Sequence, residues 1–157
     1  VGEMALDGMP RSASVIALEK VDAIAVPRTA ALSYLREHPE FALSLMMDKE
    51  LIAPVICQPG TSYSDSALGI PEAEWENAVK RSKDENIPVL GMRFEGDSLC
   101  TAARLETLRE GFGERFREVV VPGKKHSVLT LHFKDMSAAD QARVWGELCS
   151  FLKERLL

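Results

Sequence analysis

Two short loops in this 157-residue chain hold side chains that could move a proton: Glu95-Gly96-Asp97 after an apolar run ending at Phe94, and Gly123-Lys124-Lys125-His126-Ser127 after a run ending at Val121. A carboxylate that accepts an imidazole N–H fixes the ring's tautomer and stabilises the imidazolium, leaving the other ring nitrogen to take a proton from a hydroxyl. Asp97 as orienting acid and His126 as general base is the chemistry these residue types allow. The bland alternative stands beside it, since an Asp after a strand often only makes a turn and a loop histidine is commonly solvated. A thiol on the same edge, Cys100, is a candidate nucleophile three positions after Asp97. A small packed residue is the commoner role for such a cysteine and is the reading adopted. Cys57 follows a buried strand and Ser44 lies within a helix, so neither serves better.

The pair works only if the elements beneath it bring both loops to one edge. Residues 51–57 form a continuous apolar run with β-branched members, as expected of a strand buried on both faces. Ile70-Pro71-Glu72 opens a helix running to about Glu85, with Pro in the first turn and acidic residues at the positive end of the dipole. A strand over residues 88–94, a helix from about 102 to 111, a strand over 116–121 and a terminal helix carrying Val144, Leu148, Phe151, Leu152 and Arg155 complete the alternation. The fold class is therefore α/β, with about three parallel strands, flanking helices and functional groups at the carboxyl ends of strands. Upstream, residues 15–18 and 23–26 read as a hairpin closed by Pro27, and a helix from Thr29 carries Leu32, Leu35, Phe41, Leu45 and Met46, kinked or divided at Pro39.

Composition narrows the function classes. With 46% hydrophobic and 27% charged residues the chain has the make-up of a globular domain with one core. The net charge of −5 is spread along the sequence, and the basic pairs Lys80-Arg81 and Lys124-Lys125 sit among carboxylates, so neither nucleic acid nor an anionic membrane is an expected partner. Cys57, Cys100 and Cys149 lie far apart with no paired spacing, which predicts reduced thiols in a cytoplasm and no metal, disulfide or cofactor. No apolar run reaches bilayer-spanning length. The chain begins at Val1, in what reads as the middle of a strand and loop, and is expected to be a fragment cut inside a domain.

The run Ile87-Pro88-Val89-Leu90-Gly91-Met92-Arg93-Phe94-Glu95-Gly96-Asp97 resembles the strand and loop carrying the triad acid in dienelactone-hydrolase-like proteins. Pro122-Gly123-Lys124-Lys125-His126-Ser127-Val128-Leu129 resembles the segment carrying their triad histidine, and order and spacing agree. The likeness extends to Phe41-Ala42-Leu43-Ser44-Leu45-Met46-Met47 and Ala53-Pro54-Val55-Ile56-Cys57-Gln58-Pro59, similar to the helix after the nucleophile and the strand that follows. It implies that residues 41–157 are the C-terminal half of an α/β-hydrolase acting on a small ester or lactone, with Asp97 and His126 as triad members. Where the family places its nucleophile on a glycine-flanked strand-to-helix turn, this chain has Leu35-Arg36-Glu37-His38-Pro39-Glu40, with no Gly, Ser or Cys. The implied site lacks its nucleophile elbow, is expected to be inactive alone, and leaves a sheet edge through which self-association is expected.

Gly2-Glu3-Met4-Ala5-Leu6 followed by Pro10-Arg11-Ser12-Ala13 resembles the phosphate-binding cassette of cyclic-nucleotide-binding domains. The resemblance implies that Arg11 and Ser12 contact a cyclic phosphate and Glu3 a ribose hydroxyl, roles that suit a guanidinium, a hydroxyl and a carboxylate. The loop between Leu6 and Arg11 is about one residue short, and the earlier strands of that barrel are absent. Residues 1–40 thus read as a partial cyclic-nucleotide-binding-like segment joined near Phe41 to a partial hydrolase. A regulatory module binding cyclic nucleotide is the alternative function, and ordinary surface charge the alternative role for Arg11 and Glu3.

Overall fold

The computed structural model describes Leu43, residues 45–59 and residues 66–156. The expected hairpin, the expected helix from Thr29 as far as Phe41 and the cassette residues lie outside that range, and at Leu45 and Met46, where that helix is expected to continue, the chain forms a short 3-10 turn. The chain divides into two units, Val1–Glu37 and His38–Leu157, and every described residue belongs to the second. Its elements alternate as read: β1 Val55–Cys57, α1 Glu72–Asp84, β2 Val89–Phe94, α2 Ala102–Phe112, β3 Phe116–Val121 and α3 Ala138–Leu156. Short 3-10 turns lie at Leu45–Met47, Gly113–Arg115 and Phe133–Asp135.

The three strands form one parallel sheet in the order β1-β2-β3, with Ile56 beside Gly91 and Gly91 beside Glu118. Because each step moves the same way across the sheet, crossovers of one hand place both connecting helices on one face. The apolar side chains follow. Ile56 and Val89 pack with Ala78 of α1, Leu108 and Phe112 of α2, and Leu43 and Met46. Leu90, Met92, Phe94, Val119 and Val121 point the other way, against Val144 and Phe151 of α3. The period-two alternation along β2 feeds two cores, and all six of its residues are buried. Removing a side chain the size of Phe112 or Phe151 from water contributes about 1.5–3 kcal/mol.

The run at 51–57 yields a shorter strand than expected. Leu51 donates its N–H to Asp48 O at 3.1 Å, closing a turn, and Pro54 has no N–H and joins β2 only through its carbonyl, which accepts from Leu90 at 3.1 Å. Pairing is left to Val55–Cys57. The turn before it is held from α1: buried Arg81 donates to Met46 O (2.6 Å), Asp48 O (2.5 Å) and Lys49 O (3.0 Å).

Helix ends follow local chemistry. Pro71 precedes α1, Glu72 and Glu74 occupy its first turn, and Arg81 and Lys83 its last. Asn86, at φ 50°, takes the left-handed position beyond the helix while Ile87 N–H returns to Ser82 O at 2.9 Å. Ser137 caps α3, accepting the Asp140 N–H at 3.1 Å and donating to the Asp140 carboxylate at 2.6 Å.

Gly91 leaves room at the sheet centre for the ring of Phe116 on β3: a Cβ there would lie 2.4 Å from Phe116 Cζ. Gly91→Ala is expected to destabilise the fold by about 1–3 kcal/mol through overpacking. In a Phe116→Leu background the penalty should fall by at least about half, because the colliding ring carbon is gone. Urea titration of the four proteins checks this, and an equal penalty in both backgrounds would place its source elsewhere. Among the described residues no helix is long and apolar enough to cross a membrane.

Candidate functional site

β2 and β3 run parallel and end side by side, with Phe94 opposite Val121, so the residues that follow them emerge at one edge. The two loops continue the pairing: Glu95 N–H donates to Val121 O and Gly96 N–H to Gly123 O, each at 2.8 Å. Glycine is needed on both sides of this contact. A Cβ on Gly96 would lie 2.8 Å from Lys124 Cγ and 3.1 Å from Gly123 O, and Gly123 holds φ 124°.

That close approach brings Asp97 to His126. Oδ2 of Asp97 lies 2.7 Å from Nδ1 of His126. The carboxylate is buried, its side chain 2% exposed, while the imidazole is 29% exposed. Asp97 is fixed before it meets the ring: Oδ1 accepts the N–H of Leu99 at 2.8 Å and of Cys100 at 3.0 Å, and its own N–H donates to Phe94 O at 3.2 Å. A carboxylate so placed accepts the Nδ1 proton, and the lone pair of a neutral ring is then on Nε2. The contact is the arrangement in which a carboxylate fixes the orientation of an imidazole and leaves Nε2 as its free acceptor.

The third loop joins the same edge. Gln58, after β1, takes φ 45°, donates its N–H to Met92 O at 2.8 Å, and accepts the Val128 N–H on Oε1 at 3.3 Å. His132 closes the segment after His126: Ser127 N–H donates to its Nδ1 at 3.0 Å, and its own N–H donates to Ser127 O at 3.1 Å. Since a backbone amide can only donate, Nδ1 of His132 carries no proton. Below the Asp97 loop, Arg93 Nη1 donates to Phe94 O (2.7 Å), Glu95 O (3.0 Å) and Cys100 O (3.2 Å).

Of the residues singled out in the sequence, Asp97 and His126 meet; Glu3, Arg11 and Ser12 lie outside the described residues. Cys100 is fully buried, and burial, reinforced by the Asp97 charge and opposed by Arg93 and Arg104, pushes its thiol up to about 12. Desolvation raises Cys57 likewise to about 12. Both are protonated at neutral pH, the condition of packed rather than nucleophilic cysteines. A cleft of about 410 Å³ lined by Leu68, Ile70, Trp75 and Thr107 does not include the pair. Among the described residues no group of three His, Cys, Asp or Glu side chains could hold a metal ion.

Three contributors were not singled out from the sequence. Arg93 had a visible signal, as the one charge in the apolar run Val89-Leu90-Gly91-Met92-Arg93-Phe94. The sequence roles of Gln58 and His132 have no such mark, because each depends on which loop amide folds back onto it. No family model, no curated protein and no solved structure matches the chain.

Proposed function

We propose that the chain carries the acid–base half of an ester- or lactone-hydrolysing site of the dienelactone-hydrolase type, with Asp97 orienting His126 and no nucleophile at the elbow position. The observation that supports this reading is the 2.7 Å contact between a buried, doubly anchored carboxylate and a half-exposed imidazole at adjacent strand tips. In such a site Nε2 of His126 removes a proton from an attacking hydroxyl or water as the new C–O bond forms, and Asp97 stabilises the resulting imidazolium. The same proton then passes to the departing alkoxide. Without a side-chain nucleophile, water is the attacking group and the rate is many orders of magnitude below that of a complete triad.

The expected result is slow hydrolysis of an activated aryl ester that depends on His126. The wild-type protein should exceed His126→Ala by about tenfold or more, general-base assistance being the contribution removed. Rates for the two proteins that both equal the buffer blank, or that equal each other, would end the hydrolase reading.

A further inference from the structure

We propose that Arg93 is a positioning residue that aims Asp97 at His126; the proposal rests on the acid–base reading of that pair. β2 is the central strand and is buried on both faces, and its other five residues are Val89, Leu90, Gly91, Met92 and Phe94. A guanidinium in that run is costly to desolvate, and an apolar side chain would serve the sheet at least as well. Arg93 is 6% exposed, and its Nε is buried with no hydrogen-bond partner. A residue kept only for stability would not carry that unmet donor.

What the side chain does accounts for its presence. Nη1 gathers the carbonyls of Phe94, Glu95 and Cys100, the beginning and end of the loop that holds Asp97. The loop's amides at Leu99 and Cys100 are turned the opposite way, onto Asp97 Oδ1. One peptide turn therefore has its carbonyls drawn to Arg93 and its N–H groups drawn to the carboxylate, and the two sets fix the direction in which Oδ2 points. Without the cation, the carbonyls of Glu95 and Cys100 lose the donor that draws them together, Phe94 O is left with the Asp97 N–H alone, and the loop is free to turn, carrying Asp97 with it. Arg93 acts on His126 through Asp97 and touches neither the ring nor any reacting atom.

The test uses the full chain as wild type, Arg93→Met and Arg93→Lys, and reads the ¹⁵N shifts of the His126 ring through its C–H protons at a pH where imidazole is neutral. Wild type should hold the proton on Nδ1. Arg93→Met should keep the wild-type circular dichroism, melt at a lower temperature because the loop carbonyls lose a donor, lose that tautomer preference, and lower ester hydrolysis to the His126→Ala level. Arg93→Lys, which restores a cation with three donors, should recover the Nδ1–H form. Retention of the Nδ1–H form in Arg93→Met overturns the proposal. So does failure of Arg93→Met to fold, which would make Arg93 a support of the sheet, and so does a wild type without the Nδ1 proton. A wild type that holds this tautomer and loses it in Arg93→Met, yet hydrolyses no ester, leaves the positioning role standing and removes the hydrolase reading alone.

Discussion

Asp97→Ala is expected to lower folding stability by about 3 kcal/mol, a large effect for a loop residue. The carboxylate accepts three hydrogen bonds, from Leu99 N–H, Cys100 N–H and His126 Nδ1. Alanine leaves two backbone donors without a partner in a buried turn, each costing about 1–3 kcal/mol, with partial relief where water enters beside the half-exposed ring. Asp97→Asn should behave differently. Its side-chain oxygen can keep both amide bonds, so most of the stability remains. Its NH₂ then faces His126 Nδ1 and can be satisfied only if that nitrogen gives up its proton, which moves the tautomer to Nε2–H and takes the acceptor lone pair from Nε2. Denaturant titration with ring ¹⁵N shifts separates the two effects. An Asp97→Asn protein as unstable as Asp97→Ala, or one with the proton still on Nδ1, would contradict the geometry.

Cys100 is expected to resist alkylation at pH 8 by at least about a thousandfold relative to the urea-unfolded chain. A thiol pushed up to about 12 is ionised in roughly one molecule in ten thousand at that pH, whereas a thiol at the ordinary 9.0 is ionised in about one in ten. Full burial slows access further. Iodoacetamide labelling followed by mass spectrometry measures this directly, and labelling at the unfolded rate would show an accessible thiolate. The same displacement has a stability consequence whose sign is fixed. The folded thiol holds its proton up to about 12 while the unfolded one releases it near 9.0, so the unfolded state binds fewer protons in between and stability falls as pH rises through that window. The slope is about 1.4 kcal/mol per pH unit for this one group. Cys100→Ala should remove that increment from the alkaline limb and leave the remaining groups' slope unchanged. Its ester hydrolysis should equal wild type, because a protonated, packed thiol takes no part in it.

The strand positions were legible because their signals are local. Residues 116–121 were expected as a strand and are one, and the run beginning at Pro88 pairs from Val89 because proline offers no N–H. The meeting of Asp97 and His126 was also legible, since two parallel neighbours must release their loops at the same edge. What could not be read is the set of contacts that fixes the pair. The amides of Leu99 and Cys100 turn onto Asp97, and Gly96 admits Gly123 O, only once the loops are closed. No periodicity encodes such contacts. The run from Leu51 reads as one strand because apolar content does not reveal that Leu51 is already bonded to Asp48. In the sequence Arg81 is only a basic neighbour of Lys80, because spacing carries no trace of its bonds to Met46, Asp48 and Lys49, more than thirty residues away.

The bonds from Glu95 to Val121 and from Gly96 to Gly123 extend the β2–β3 ladder past the last strand residues. Loops usually open on their own, well below the free energy of global unfolding. These two amides are expected not to, since exposing either one begins to part β2 from its neighbour β3. Their deuterium uptake should therefore be slow and should track that of Met92 and Val119, which makes the acid–base edge part of the most protected cooperative unit; rapid uptake at Gly96 would show that the loops move independently of the sheet.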